Sequence, residues 1–209
     1  MKKLFLLLIL SVSTIGFAQK GKTKAKPAAT KNVVLTKVDN ISAEVISEKS
    51  GKRVVLFVKN VDKVDTLEVK KLEKMDFKPT GFVVKSFSTQ GKKFYHVNWK
   101  EEIKIDTKLK KENGVVTEDQ LWDTETKTLL LGNTQKSSHI KETIFLDANK
   151  TASHDVEKNR NEGFEFMLNA DGSFNLKTKT QNSTYVYNVA TSKYEMKGAP
   201  KTSGTKKKK

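Results

Sequence analysis

The chain has 209 residues, with 40 Lys and Arg against 24 Asp and Glu for a formal charge of +16, and no cysteine. Its length suits one domain or two small ones with a substantial core. The absence of cysteine excludes disulfides, a thiol nucleophile and bacterial lipoprotein attachment. The positive excess resembles that of a nucleic-acid binder until it is located: Lys2 and Lys3, five lysines in residues 19–31 and six in residues 197–209 account for thirteen of the sixteen charges, leaving +3 for residues 32–196.

Residues 1–18 read as a cleaved secretory signal peptide. Lys2 and Lys3 precede an apolar run from Leu4 to Val12, and small residues at Gly16 and Ala18 place the cut between Ala18 and Gln19. A membrane anchor would need about 20 consecutive apolar residues, and Ser11, Ser13 and Thr14 interrupt the run. The expected location is therefore the periplasm or the exterior of the cell, with no transmembrane segment in the mature chain. Residues 19–31, with Lys20, Lys22, Lys24, Lys26 and Lys31, lack acids and bulky apolar groups. So do residues 197–209, which end in Lys206, Lys207, Lys208 and Lys209. Such segments bury too little surface to offset the entropy of ordering and are expected to be disordered, Lys-rich tails. Two readings apply to them: spacers that aid solubility, or cationic arms that contact anionic envelope lipid, lipopolysaccharide, acidic polysaccharide or extracellular DNA through salt-sensitive attraction. The body has neither a basic recognition helix nor zinc-finger ligands, so sequence-specific nucleic-acid binding is not expected.

Residues 32–196 read as a single all-β domain. The first reversal is expected at Ser47–Lys52, followed by an apolar strand over Arg53–Lys59. In the segment Val61–Phe77, Val64, Leu67 and Met75 approach helical spacing, but Leu67 and Val69 alternate and no helix cap is present, which favours a strand. Another strand is expected over Phe82–Phe87. From Phe94 to Lys110, Tyr95, Val97, Trp99, Ile103, Ile105 and Leu109 share one parity, while His96, Asn98, Lys100, Glu102, Lys104, Asp106, Lys108 and Lys110 share the other. This predicts a strand with one face in a core and one in water, and a bend or bulge near Lys100–Glu102 to accommodate Glu101 on the apolar parity.

Turns are expected at Asp123–Thr128 and Asp147–Ala152, with separate apolar strands at Leu129–Gly132 and Thr143–Leu146. Ala152–Asn161 is polar and reads as a loop or one helical turn. Phe164, Phe166 and Leu168, the turn Asn169–Gly172, then Phe174 and Leu176 form a hairpin, since Asp-Gly readily supplies positive φ. Tyr185, Tyr187 and Val189 lead to a turn at Asn188–Lys193 and a last strand near Tyr194–Met196. Irregular turn spacing excludes a fixed-repeat propeller or solenoid. What remains is an antiparallel meander forming a barrel, half-barrel or sandwich.

No catalytic constellation emerges from these residues. Glu101 and Glu102 point to opposite faces of a strand, and Glu102 and Asp106 lie about 13 Å apart along one, too far for paired glycosidase carboxylates. A metal would require His96, His139 or His154 to converge with acids. The Asp147–Asp155 segment resembles a calcium loop only in its alternating oxygens; it lacks the turn glycine, and Lys158 stands where a bidentate acid belongs. There is no Gly-x-Ser-x-Gly elbow and no phosphate-binding glycine loop. Tyr95, Trp99, Trp122, Tyr185, Tyr187 and Tyr194 sit in strand-like segments and read as core rather than as a sugar- or lipid-lined cleft. Asn182-Ser183-Thr184 matches a glycosylation sequon, which carries little weight outside a eukaryotic context. No cofactor, metal or catalytic residue is expected. The sequence thus predicts an exported, non-enzymatic, envelope-associated binding or structural protein. One alternative is a carrier of a hydrophobic or glycolipid ligand in a barrel or half-barrel cavity; another is an enzyme whose site forms only in three dimensions.

Overall fold

Alternation of apolar and polar residues shapes nearly all of the body into strands. The computed structural model describes residues 32–48, 51–72 and 79–198, and every regular element among them is a strand. The first sheet holds β1 (Val33–Val38), β2 (Ile41–Glu48), β3 (Gly51–Lys59) and β4 (Val64–Leu72) in chain order. The second holds β5 (Thr80–Thr89), β6 (Lys92–Asp106), β7 (Lys110–Asp123), β8 (Thr128–Phe145) and β9 (Ser153–Glu162). The third holds β10 (Glu165–Leu168), β11 (Phe174–Lys177), β12 (Asn182–Asn188) and β13 (Lys193–Met196). Every neighbouring pair is antiparallel. Each meander ends at two open edges, so none closes into a barrel. The sandwich is the form adopted.

The second sheet is the middle layer. On one face Tyr95, Val97 and Trp99 of β6, with Val84 of β5 and Trp122 of β7, join Ile41, Ala43, Val54, Leu56, Val58, Leu67 and Val69 of the first sheet in one core. Phe82 stacks on Trp99 at 5.5 Å between ring centroids, and Gln120 Nε2 donates to the Val69 carbonyl at 3.1 Å. On the opposite face Phe94 meets Tyr187 at 4.8 Å and His96 meets Phe166 at 5.0 Å, while Phe174 packs on Phe166, Tyr185 and Tyr194. This corrects the expectation of one dry and one wet face on β6. Phe94 and Trp99 are both fully buried, on opposite faces, because the third sheet covers the side that His96 and Asn98 mark as polar. Gly172, at φ +79°, seats the β10–β11 turn there; a Cβ on it would lie 2.5 Å from the Thr89 side chain.

Beyond Lys100 and Thr134 the long strands continue past the residues that the two outer cores cover. Cross-strand charges dress this distal arm. Glu142 of β8 pairs with Lys158 of β9, and Glu112 of β7 with Lys136 of β8. Opposite charges placed across antiparallel strands stabilise a sheet face, which explains two departures from the expected elements. The polar stretch between Leu129–Gly132 and Thr143–Leu146 is strand throughout, so β8 is one element rather than two. The segment read as a loop or helical turn, Ala152–Asn161, forms the edge strand β9.

β6 pairs with β7 without a register break through Lys100–Glu102; the irregularity lies on β5, between Thr80 and Val83. Glu101 keeps its place on the apolar parity because Trp99 Nε1 donates to it at 2.8 Å and Lys70 pairs with it. Within Val61–Phe77 the described part forms β4 with Leu67 and Val69 buried, as alternation indicates.

Gly114 on β7 has Ser138 as its cross-strand neighbour on β8, and a Cβ on it would fall 2.4 Å from both the Ser138 Cβ and the Ser137 carbonyl oxygen. Gly114→Val is expected to destabilise the fold by about 1–3 kcal/mol in urea unfolding. Gly132→Ala, where the nearest atom is Leu129 at 3.7 Å, should stay within about 0.5 kcal/mol of wild type. Equal effects at the two positions would contradict the close approach of β7 and β8.

Candidate functional site

In a meander, alternate turns lie at the same end of the sheet. The β1–β2 and β3–β4 turns of the first sheet therefore meet the β5–β6 and β7–β8 turns of the second at one end of the sandwich. Between them is a cleft of about 390 Å³. The first sheet contributes Asn40, Val58, Asn60, Lys63 and Asp65; the second contributes Lys93, Tyr95, Thr124, Glu125 and Lys127.

Two ion pairs between the sheets brace this cleft. Lys127 Nζ lies 2.7 Å from Asp65 Oδ1, and Lys93 Nζ lies 2.8 Å from Asp39 Oδ2. Lys63 approaches the other Asp65 oxygen at 3.6 Å, and Asn60 donates to that oxygen at 3.2 Å. The partner lysines hold the carboxyls of Asp39 and Asp65 below their ordinary range. Burial pushes the Tyr95 phenol up; its hydroxyl lies 3.4 Å from both Asp39 and Asn40, and the Lys93 ammonium, 5.6 Å from the ring centroid, also bonds the side chain. The Asn40 amide donates to the Lys59 carbonyl at 3.0 Å, fixing the β1–β2 turn against β3. Asp123 accepts the backbone N–H groups of Glu125 and Thr126 at 3.0 and 3.1 Å, which shapes the β7–β8 turn. Asp39, Gln90 and Lys127, one in each of three turns at this end, have φ between 51° and 59°. Non-glycine residues rarely adopt that region.

Two further polar clusters are buried, one between layers and one on the distal arm. Between the second and third sheets, Asp119 Oδ1 is 2.8 Å from His96 Nε2 and accepts from the Asn98 amide at 2.8 Å. No Ser, Thr or Tyr hydroxyl is bonded to His96 among the described residues, so a nucleophile–base pair is not formed there. On the distal arm the buried Glu112 carboxylate accepts from Ser138 Oγ at 2.8 Å and contacts Lys110 at 2.8 Å and Lys136 at 3.1 Å. These partners, Lys110 foremost, lower its pKa from 4.5 to about 2.

The residues singled out in the sequence separate accordingly. Lys20, Lys22, Lys24, Lys26, Lys31 and Lys206–Lys209 lie outside the described residues. Glu102 and Asp106 are exposed, and His139 pairs with Glu157 on the arm surface at 3.0 Å. His96, His139 and His154 do not converge, and no group of three metal-binding side chains occurs among the described residues. The Asp147 carboxylate is occupied by the backbone of Thr151 and Ala152 and by the Thr151 hydroxyl. Tyr95, Trp99, Trp122 and Tyr187 are buried in the core. Sequence reasoning missed the cleft residues. Their signal was the rule of alternate turns: Asp39-Asn40, Asn60–Lys63 and Thr124–Lys127 all occupy turns that a meander brings to one end. No helix among the described residues is long and apolar enough to cross a membrane.

Comparison with protein-family models, with curated proteins and with solved structures finds no match to this chain.

Because the folded-state pKa of Glu112 is depressed, its contribution to stability is complete above about pH 4.5 and is lost as pH falls toward 2. Thermal unfolding followed across that window should show wild type losing stability more steeply than Glu112→Gln. Parallel profiles would contradict the ion-paired state of this carboxylate.

Proposed function

We propose that the chain is an exported, non-enzymatic binding or structural protein of the cell envelope, and that its Lys-rich terminal segments contact anionic envelope lipid, lipopolysaccharide or polysaccharide. The observation that carries this reading is where charge is spent. Arg53 pairs with Glu48 and Glu68, Lys93 with Asp39, Lys127 with Asp65, Lys110 and Lys136 with Glu112, and Lys158 with Glu142. The body thus consumes much of its own charge in pairs, and the excess belongs to residues 19–31 and 197–209. Attraction of that kind is unspecific and screened by salt.

A catalytic role draws no comparable support. General acid–base catalysis needs a group free to exchange a proton with substrate, and the buried Glu112 and Asp119 carboxylates are both committed to partners within the sheets. A hydrophobic-ligand carrier needs a hollow interior. Trp99, Phe94, Leu56 and Leu121 fill the spaces between the layers with almost no exposure, and the cleft at the sandwich end is polar. The binding or structural reading is therefore the better supported one.

Fractionation of the native host should place the protein outside the cytoplasm with Gln19 as its first residue, identified by intact-mass spectrometry. A cytoplasmic protein retaining Met1–Ala18 would refute export. Sedimentation with lipopolysaccharide-containing vesicles should weaken steadily as salt rises and should be lost when the lysines of both tails are replaced by Gln. Binding that survives those substitutions would refute the role of the arms.

A further inference from the structure

We infer that the tip of the distal arm, where the β6–β7 turn lies beside the end of β8, inserts into the interface of an anionic phospholipid bilayer. This rests on the proposal that the protein works at the cell envelope, and it names lipid as what the folded body meets there. The tails supply long-range attraction; the tip supplies an apolar foothold.

Exposed apolar side chains gather at this tip. The β6–β7 turn closes where Thr107 donates its N–H to the Lys110 carbonyl at 2.9 Å, and Thr143 of β8 donates to the Leu109 carbonyl at 2.8 Å. Leu109 is thereby set beside Ile144, the next residue of β8. Leu146 begins the following turn, its N–H bonded to the Ala152 carbonyl at 2.9 Å. Ile105, Leu109, Ile144 and Leu146 are 37, 48, 40 and 65 % exposed, and none belongs to the core shared with the first sheet. Clustered apolar exposure marks a surface that a partner or a membrane covers.

Charge and shape select the membrane. The acids around the tip are engaged: Asp106 lies 3.8 Å from Lys111, Glu142 pairs with Lys158, Asp155 accepts from the Thr143 hydroxyl at 2.7 Å, and Asp147 is taken by its own turn. Glu157, across from Lys141, contacts His139 at 3.0 Å. Lys104, Lys108 and Lys141 are exposed and have no acid partner among the described residues. Lys108 adjoins Leu109, and Lys141 stands two residues behind Thr143, about 7 Å along the strand. Interfacial elements bury their apolar side chains about 5–10 Å deep, which leaves these ammonium groups level with lipid phosphates, their stems crossing the apolar boundary. A protein partner would need a socket shaped to two adjacent turns. A fluid bilayer supplies apolar contact without one.

The test uses the absence of cysteine. Leu146→Cys at the tip and Val61→Cys in the β3–β4 turn, at the cleft end, each carry one environment-sensitive fluorophore on residues 19–209. With vesicles of equimolar phosphatidylcholine and phosphatidylglycerol, the label at 146 should shift to the blue and resist an aqueous quencher, while the label at 61 should do neither. Leu109→Ser combined with Leu146→Ser should lower vesicle affinity about tenfold. Both side chains are exposed, so the thermal midpoint should match wild type. Absence of vesicle binding, binding that leaves the 146 label in water, equal shifts at both labels, or unchanged affinity in the double variant would each overturn the inference. So would a shift at 146 produced by an envelope protein extract but not by vesicles. Vesicle binding with the tip label in water leaves the tails acting alone and removes the tip only. A cytoplasmic protein retaining Met1–Ala18 would instead remove the reading on which the inference rests.

Discussion

Six residues of β6, Phe94 to Trp99, are enclosed on both sides, and the architecture depends on that double coverage. Side chains of opposite parity on a strand face opposite ways, so Phe94 and Trp99 commit the middle sheet to two interfaces at once. Trp99, Val97 and Tyr95 require the first sheet, and Phe94 and His96 require the third. Each outer sheet has four strands and one described apolar face to hide, and a sheet of that size gains its independence from packing rather than from its own ladder. The polar groups within the layers follow the same logic: Asp119 is tolerated between the second and third sheets because His96 and Asn98 both satisfy it.

Past the covered region, cross-strand ion pairs supplement the little apolar packing that remains, of which the buried Ile140 is the centre. The arm built from the far ends of β6, β7 and β8 with β9 is held by backbone ladders and by pairs such as Glu142–Lys158. The same charges protect its open edge. Asp155, Glu157, Lys158, Arg160 and Glu162 lie along that edge, and antiparallel pairing of β9 with another copy of itself would in some registers set Lys158 opposite Lys158 or Glu157 opposite Glu157. Like charges directly opposed are unfavourable, and charged edges of this kind resist edge-to-edge association. The cleft at the other end of the sandwich also uses ion pairs, but there they bind one sheet to another and leave Glu125 exposed.

Much of this was legible in the sequence wherever alternation was strong. Tyr95, Val97 and Trp99, the Asn169–Gly172 turn and the Asp123 and Asp147 reversals all appear where their patterns place them. β9 and the centre of β8 were not legible, because Asn, Lys, Glu and Arg favour strands only when a neighbouring strand supplies the opposite charge, and that neighbour is set by topology. The polar parity of β6 was misread for a related reason: Phe94 and His96 look half-solvated until Phe166 and Tyr187, some 70 to 90 residues later, close over them. The cleft was illegible residue by residue. Its groups come from three turns and the strand ends beside them, and only the rule that alternate meander turns share an end brings them together.

Native-state hydrogen exchange tests the double coverage of β6 most directly. The account predicts that amides of residues 94–99 and of 119–122 exchange only through global unfolding and form the slowest set in the protein, with Phe94→Ala and Trp99→Ala each accelerating all of them together. Amides of residues 103–106 and 154–162, which neither outer sheet covers, should exchange through smaller openings. If Phe94→Ala sped exchange in the third sheet while leaving residues 95–99 at wild-type protection, the middle sheet would not depend on its second interface, and the account would be contradicted.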